Sequence, residues 1–238
     1  PNYILDFKAS EKLNFALSEL KKEKHVQYIT HQAPFFGMDF YVNESVLIPR
    51  QETEDLVSWI LDDISENKIT FPYLIDIGTG SGCIAISLAK ANKEINVNAI
   101  DLSEEALTVA QKNAKKHQVK IDFIQQDIQS LFHWKNQLDV IVSNPPYVPK
   151  SEKVHTAAHV LREPEHAIFV SESSPLKFYE HIINYAAKQL NTKGSIYLEG
   201  HAPLMKTLYL LLTQARFSDI VLRNDFRTNP RFIRAHSR

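Results

Sequence analysis

Two stretches of this chain hold residue types that suit chemistry on a small planar nitrogen group. The first runs Leu138-Asp139-Val140-Ile141-Val142-Ser143-Asn144-Pro145-Pro146-Tyr147. Its apolar run, Val140-Ile141-Val142, reads as a buried strand. The strand stops at Asn144 because two prolines follow, which donate nothing to a ladder and restrict the residue ahead of them. An amide side chain therefore stands at the carboxyl end of a strand, where ligands bind in an open α/β sheet. The Asn144 side-chain carbonyl and the Pro145 main-chain carbonyl can together accept both N–H bonds of one NH2 group. Taken alone, the motif reads equally well as a strand closing in a proline-rich turn, with Asn144 capping locally.

The second stretch is Asp76-Ile77-Gly78-Thr79-Gly80-Ser81-Gly82, placed between a strand and a helix. Glycines there let the backbone turn sharply and approach a ligand closely. A dinucleotide fingerprint needs G-x-G-x-x-G, but here the third glycine comes one residue early and Cys83 fills the fingerprint position. The spacing argues against NAD and FAD. It suits S-adenosylmethionine, whose amino-acid end carries no pyrophosphate but has a carboxylate that a helix N-terminus favours. Asp101, roughly 20 residues on at the tip of the next strand, is placed to accept ribose hydroxyls. Asp127, just past the third strand, is placed to accept an adenine amino group. The expected cofactor contacts are Asp76, Gly78, Thr79, Gly80, Ser81, Gly82, Asp101, Leu102, Asp127, Ile128 and Asn144. Asn144, Pro145, Pro146 and Tyr147 form the expected catalytic and substrate-binding set.

Positioning these groups takes strands that alternate with helices. The pattern predicts strands at 73–77, 95–100, 119–125, 138–143 and 194–199, and helices at 82–91, 103–117, 176–190 and 204–214. Ser103 is the N-cap of the second of these helices, with Glu104 and Glu105 in its first turn. Such alternation means a parallel sheet covered by helices on both faces. Two last strands, 217–223 and 231–236, are joined by too few residues for a crossover helix and should be antiparallel. A long irregular segment, 148–175, follows the Asn144 motif. Upstream, 10–24 reads as a helix capped by Ser10 with Leu13, Leu17 and Leu20 on its apolar stripe. Residues 36–42 and 46–48 read as a hairpin turning at 43–45, and 50–66 as a helix with Leu56, Val57, Ile60, Leu61 and Ile64 on its apolar face.

Composition narrows the class of protein. The 238 residues are 44% hydrophobic and 23% charged, ordinary for a globular chain. Lys and Arg number 27 against 28 Asp and Glu, a formal charge of −1, which is no footprint of a nucleic-acid binder. A single cysteine excludes an internal disulfide and fits a reducing, cytoplasmic compartment. No apolar run is long enough to span a bilayer, and no signal peptide is visible. The first residue is Pro1 rather than Met, which reads as a truncated or processed form. Cys83 reads as a small helix residue. His155 and His159 stand four apart without the acid or cysteine of a metal site. Phe35, Phe36, Phe40 and Tyr41 read as core.

The combination resembles a known family. Asp76 to Ala85 together with Ser143-Asn144-Pro145-Pro146-Tyr147-Val148-Pro149 resembles class I S-adenosylmethionine-dependent methyltransferases that act on planar nitrogens. Val46-Leu47-Ile48-Pro49-Arg50-Gln51-Glu52-Thr53-Glu54 is similar to the VLIPRPETE signature of the HemK/PrmC family, the peptide-chain release factor glutamine N5-methyltransferases. Gln27-Tyr28-Ile29, Phe36-Gly37, Glu163-Pro164 and Asn229-Pro230-Arg231 match further family positions. Gln51 departs from the usual proline and His31 from a common glycine. The segment Phe169 to Pro175 lacks the usual glycines, and Gly200-His201-Ala202 a common glutamine.

The resemblance implies a Rossmann-like class I fold: a mostly parallel seven-stranded sheet with an antiparallel C-terminal strand, preceded by a β-hairpin and a short helical remnant. It implies methyl transfer to the glutamine amide of a Gly-Gly-Gln motif in release factors, with S-adenosylhomocysteine as product and no direct binding of nucleic acid or membrane. The family's helical recognition domain would then survive only in part, giving 1–34 as its remnant, 35–70 as hairpin and linker helix, and 71–238 as the methyltransferase domain. The NPPY motif is shared with DNA and RNA amino-methyltransferases, the same-chemistry alternative. A non-catalytic module that binds S-adenosylmethionine is the alternative of another class.

Overall fold

The computed structural model describes residues 6–130 and 137–238. Pro1 lies outside them. The chain opens with helices α1 (Phe7–Lys21) and α2 (Val26–Thr30). A hairpin of β1 (Ala33–Phe35) and β2 (Met38–Phe40) follows, then α3 (Thr53–Glu66). The alternating part runs β3 (Tyr73–Ile77), α4 (Cys83–Ala91), β4 (Asn96–Asp101), α5 (Glu104–His117), β5 (Asp122–Gln125) and β6 (Leu138–Ser143). Next come β7 (Val148–Pro149), α6 (Glu165–Ile168), β8 (Phe169–Val170), α7 (Lys177–Gln189), β9 (Leu190–Glu199), α8 (Met205–Gln214), β10 (Ser218–Asn224) and β11 (Pro230–His236).

Seven strands form the main sheet in the order β10-β11-β9-β6-β3-β4-β5. Pairings from β9 through β5 are parallel, and β11 runs antiparallel to both β9 and β10. This is the expected sheet. Its interior strands are apolar on both faces, because helices cover both. Leu74 pairs with Val140 and Ile75 with Ile141 across the parallel register. Leu74, Val140 and Val142 face a core shared with α3 and α4. Ile75, Ile77 and Ile141 face a second core built with α7 and α8. A smaller cluster of Tyr28, Ala33, Val42, Val46 and Ile48 packs on Ala106 and Val109 of α5, docking the N-terminal segments beside the carboxyl ends of the strands. Among the described residues no helix is long and apolar enough to cross a membrane.

Three expectations need correction. The hairpin turns at Phe36-Gly37, both at positive φ, and pairs 33–35 with 38–40. Residues 46–48 form no strand: the Val46 N–H closes a turn on the Asn43 carbonyl at 3.2 Å, and the Ile48 N–H donates to Glu163. The first helix begins earlier, because Asp6 rather than Ser10 accepts the capping N–H, from Ala9 at 2.7 Å. Its apolar stripe is not buried: no side chain of α1 is, and Leu13, Leu17 and Leu20 remain exposed. The 148–175 segment is mostly irregular, as read, but carries the short β7–β8 parallel pair and α6.

Candidate functional site

The glycine loop leaves β3 and is pinned to the end of β4. Gly78 and Thr79 both donate their N–H to the Ile100 carbonyl, at 2.9 and 3.0 Å. Gly78 (φ 73°) and Gly80 (φ 55°) adopt left-handed backbone, and a Cβ at either would meet nothing within 4 Å. Both face open space in the cleft, so a ligand can approach the bare backbone there. Gly82 differs: a Cβ on it would sit 2.9 Å from Ile86 Cδ1 and 3.2 Å from Ala110 Cβ. Its missing side chain lets α4 lie close to α5, and it does not line the cleft. Asp76 is fully buried beneath the loop and also off the cleft wall. Its Oδ2 accepts the Thr79 hydroxyl at 2.7 Å. Burial pushes its pKa up to about 7, against the opposing Thr79 bond.

Acids stand where successive strands end. Asp101 Oδ2 accepts the Gly80 N–H at 2.8 Å, and its Oδ1 accepts the Ser103 N–H at 3.0 Å. Each oxygen keeps a second lone pair for a hydroxyl. Ser103 in turn caps α5, accepting from Ala106 N at 3.1 Å. Asp127 lies past β5, its Oδ1 accepting the Gln129 N–H at 2.8 Å. Leu102 and Ile128 line the cleft beside these acids.

At the end of β6, Ser143 donates to the Ile77 carbonyl at 2.6 Å, fixing β6 to β3 where the Asn144 motif begins. Asn144 Nδ2 lies 3.4 Å from the Thr53 hydroxyl oxygen, and that hydroxyl donates to Glu199 Oε2 at 2.7 Å. Glu199 Oε1 accepts the Tyr147 hydroxyl at 3.3 Å. Tyr147 also accepts from Arg231 Nη1 at 3.2 Å, and Arg231 Nε donates to Asp225 at 3.2 Å. Burial is the main cause that lifts the Glu199 pKa to about 7, although its hydrogen bonds and Arg231 pull it down. Burial and the neighbouring Glu199 also raise the Tyr147 phenol well above its ordinary range.

A cleft of about 250 Å³ joins these parts. Gly78, Thr79, Gly80, Ser81, Asp101, Leu102, Asp127 and Ile128 line it, together with Asn144, Pro145 and Pro146. Tyr147 stands behind that wall, held by Glu199 and Arg231. Cys83 opens α4 on the cleft wall, its thiol pushed up to about 12 by burial.

Much of the remaining wall was not foreseen. Val46, Leu47, Pro49, Arg50 and Thr53 line one side, and His166, Ala167 and Phe178 another. Glu163 locks these sides together from a fully buried position, accepting from Ile48 N at 3.0 Å and Arg50 Nη2 at 2.6 Å. Asn113 on α5 does the same for the loop, donating to the carbonyls of Ser81 and Tyr41 and accepting the Tyr41 N–H. None of Glu163, Asn113, Thr53 or Glu199 has a local sequence signal for such a role, although Glu163 and Thr53 fall within the motifs quoted above.

Residues 55–169 match the model of the methyltransferase small domain family. The chain is 43% identical over 93% of its length to the release factor glutamine methyltransferase of Flavobacterium psychrophilum, covering 79% of that protein. It is 37% identical to the protein of the same name from Bacteroides thetaiotaomicron, over 98% of this chain and 83% of that one. Among solved structures, the Thermus thermophilus 16S rRNA N2 G1207 methyltransferase, in complex with AdoMet and guanosine, superposes with a TM-score of 0.63. That match has 16% identity and covers 87% of this chain and 50% of the other, a likeness of fold.

Proposed function

Because this chain belongs to the release factor glutamine methyltransferase family, we propose that it transfers a methyl group from S-adenosylmethionine to the glutamine side-chain amide of a Gly-Gly-Gln motif in peptide chain release factors. The observation that carries the reading is the meeting of the glycine loop, Asp101, Asp127 and Asn144-Pro145-Pro146 around one cleft.

The residues present fit the cofactor. Gly78 and Gly80 offer open backbone, and Asp101 offers two oxygens already oriented by main-chain N–H groups. Asp127 and Ile128 stand one strand further along, suited to an adenine edge and face. The N-terminus of α4 favours the carboxylate of the amino-acid end. Asp76 and Gly82 serve the same site from behind, holding the loop and admitting α4. Bound S-adenosylmethionine supplies an electrophilic methyl on a sulfonium, whose carbon–sulfur pair stays on sulfur as the new bond to nitrogen forms.

The chain's own task is orientation. A carboxamide nitrogen is a poor nucleophile, because its lone pair is delocalised into the carbonyl. Asn144 Oδ1 and the Pro145 carbonyl accept its two N–H bonds and aim the lone pair along the line of transfer. The same acceptors stabilise the positive charge that grows on nitrogen. Pro145 and Pro146 keep the acceptors stiff, and Tyr147, fixed by Glu199 and Arg231, supports the far side of the turn. The nitrogen then gives up one proton to water.

In the same reading residues 1–34 belong to substrate recognition, 35–70 supply the hairpin and linker helix, and 71–238 form the methyltransferase domain. The test is mass spectrometry of a release factor after incubation with the protein and S-adenosylmethionine. The expected result is one added methyl group on the glutamine of the Gly-Gly-Gln peptide. An unmodified glutamine, with methyl groups found instead on added RNA or DNA, would replace this reading by the nucleic-acid one.

A further inference from the structure

The Thr53 hydroxyl sits between the amide of Asn144 and the carboxylate of Glu199. It has one hydrogen to donate. With Glu199 ionised, that hydrogen goes to its Oε2, at 2.7 Å. Only lone pairs are left to face Asn144, so the amide group turned toward Thr53 must be the NH2, at 3.4 Å. The other end of the amide, Oδ1, is then turned away from Thr53. A side-chain amide rotated by half a turn would present donors where an acceptor is needed. Thr53 is almost fully buried, lines the cleft and belongs to the first turn of α3, so its position is fixed by backbone. Glu199 is itself held by Tyr147 and, through its main-chain carbonyl, by the Tyr179 hydroxyl at 3.0 Å.

We infer that Thr53 is a positioning residue for methyl transfer: its hydroxyl, directed by Glu199, selects the amide orientation of Asn144 that presents Oδ1 to the acceptor nitrogen. The inference rests on the amide-transfer reading and extends it to a residue more than ninety positions before the reacting motif. It predicts a specific division of effects. A wrongly turned Asn144 harms the transition state, where alignment matters, far more than it harms binding of the cofactor.

The experiment uses the full chain as wild type, Thr53→Val and Thr53→Ser, with release factor and methyl-labelled S-adenosylmethionine. Valine keeps the shape and removes the hydroxyl; serine keeps the hydroxyl. Thr53→Val is expected to lower kcat by about ten-fold or more, with KM for release factor and Kd for S-adenosylhomocysteine within about three-fold of wild type. Thr53→Ser is expected to recover most of that loss. Should the valine variant fail to fold, Thr53→Ala makes the same comparison with serine. An undiminished kcat in the variant lacking the hydroxyl overturns the inference alone. So does a loss confined to cofactor affinity, or a serine variant as poor as the valine one. A wild-type protein that binds cofactor and labels no glutamine overturns the underlying reading and the inference with it.

Discussion

Replacing Asp101 separates a ligand-binding carboxylate from a purely structural one. In the folded chain this group already accepts two main-chain N–H bonds, from Gly80 at 2.8 Å and Ser103 at 3.0 Å. Asp101→Asn keeps the shape but replaces one oxygen with NH2, so one of those N–H groups must face a donor. Breaking a hydrogen bond to a charged acceptor costs about 1.5–3 kcal/mol. Asp101 is half-buried, so water can reach the freed N–H, and the expected loss of fold stability is about 1–2 kcal/mol. Ligand affinity should suffer separately, because the remaining lone pairs of the carboxylate are those assigned to the ribose hydroxyls. Losing one charge-assisted bond there corresponds to a Kd for S-adenosylhomocysteine raised roughly 10- to 150-fold. Calorimetric titration with S-adenosylhomocysteine, run beside thermal unfolding, reads both quantities. Asp122→Asn, at the opposite end of β5 and away from the cleft, is the control and should leave Kd unchanged. A folded Asp101→Asn protein whose Kd stays within about three-fold of wild type would refute the assignment of Asp101 to the ribose.

Other outcomes follow from the same geometry. Asn144→Ala should lower kcat at least about a hundred-fold while changing S-adenosylhomocysteine affinity little; near-normal turnover in a single-turnover assay would remove Asn144 from the mechanism. Glu163→Ala strips buried partners from Ile48 N and Arg50. Because Arg50 is about one-third exposed, the expected loss is below the range for fully buried pairs, about 2–3 kcal/mol in urea unfolding; a loss under half of that would show that the two walls of the cleft are held otherwise. Glu199 has its pKa raised from 4.5 to about 7. The folded state therefore holds a proton that the unfolded chain gives up, and stability from this group is full below pH 4.5 and lost as pH rises through about 7. Glu199→Gln should remove that part of the slope, a difference on the order of 3 kcal/mol between pH 4 and 8. Parallel stability curves for wild type and variant would contradict the raised pKa.

The elements that position the site were legible wherever the chain carries its own stop or start. β6 ends at Ser143, as read, because Asn144-Pro145-Pro146 cannot extend a ladder. α5 begins after Ser103, as read, because that hydroxyl satisfies a free helix N–H. The acids at 101 and 127 both line the cleft, because parallel strands bring their carboxyl ends to one edge. Residues 46–48 failed by the same logic run in reverse. Val46-Leu47-Ile48 has strand composition but no neighbouring strand; Glu163, 115 residues later, supplies the partner that a sheet otherwise would. The stripe on α1 has helical period and no core to meet among the described residues.

What sequence could not convey is the way the site's second layer is assembled. Asn144, Thr53, Glu199, Tyr147, Arg231 and Asp225 form one chain of hydrogen bonds drawn from the turn after β6, α3, β9, that same turn, β11 and the turn before β11. Each link but the last joins residues more than fifty positions apart, so no local spacing marks it. The motif residues Thr53 and Arg231 are instead tied together through Glu199, at the end of β9, and Tyr147. A buried carboxylate costs free energy unless its neighbours donate to it, and here three hydroxyls converge on Glu199: those of Thr53 and Tyr147 on the carboxylate, that of Tyr179 on the main-chain carbonyl. That convergence fixes which way each hydroxyl points. In the proposed transfer, direction more than charge is what a poorly nucleophilic amide needs from the residues behind Asn144, and a buried acid with fixed donors supplies it.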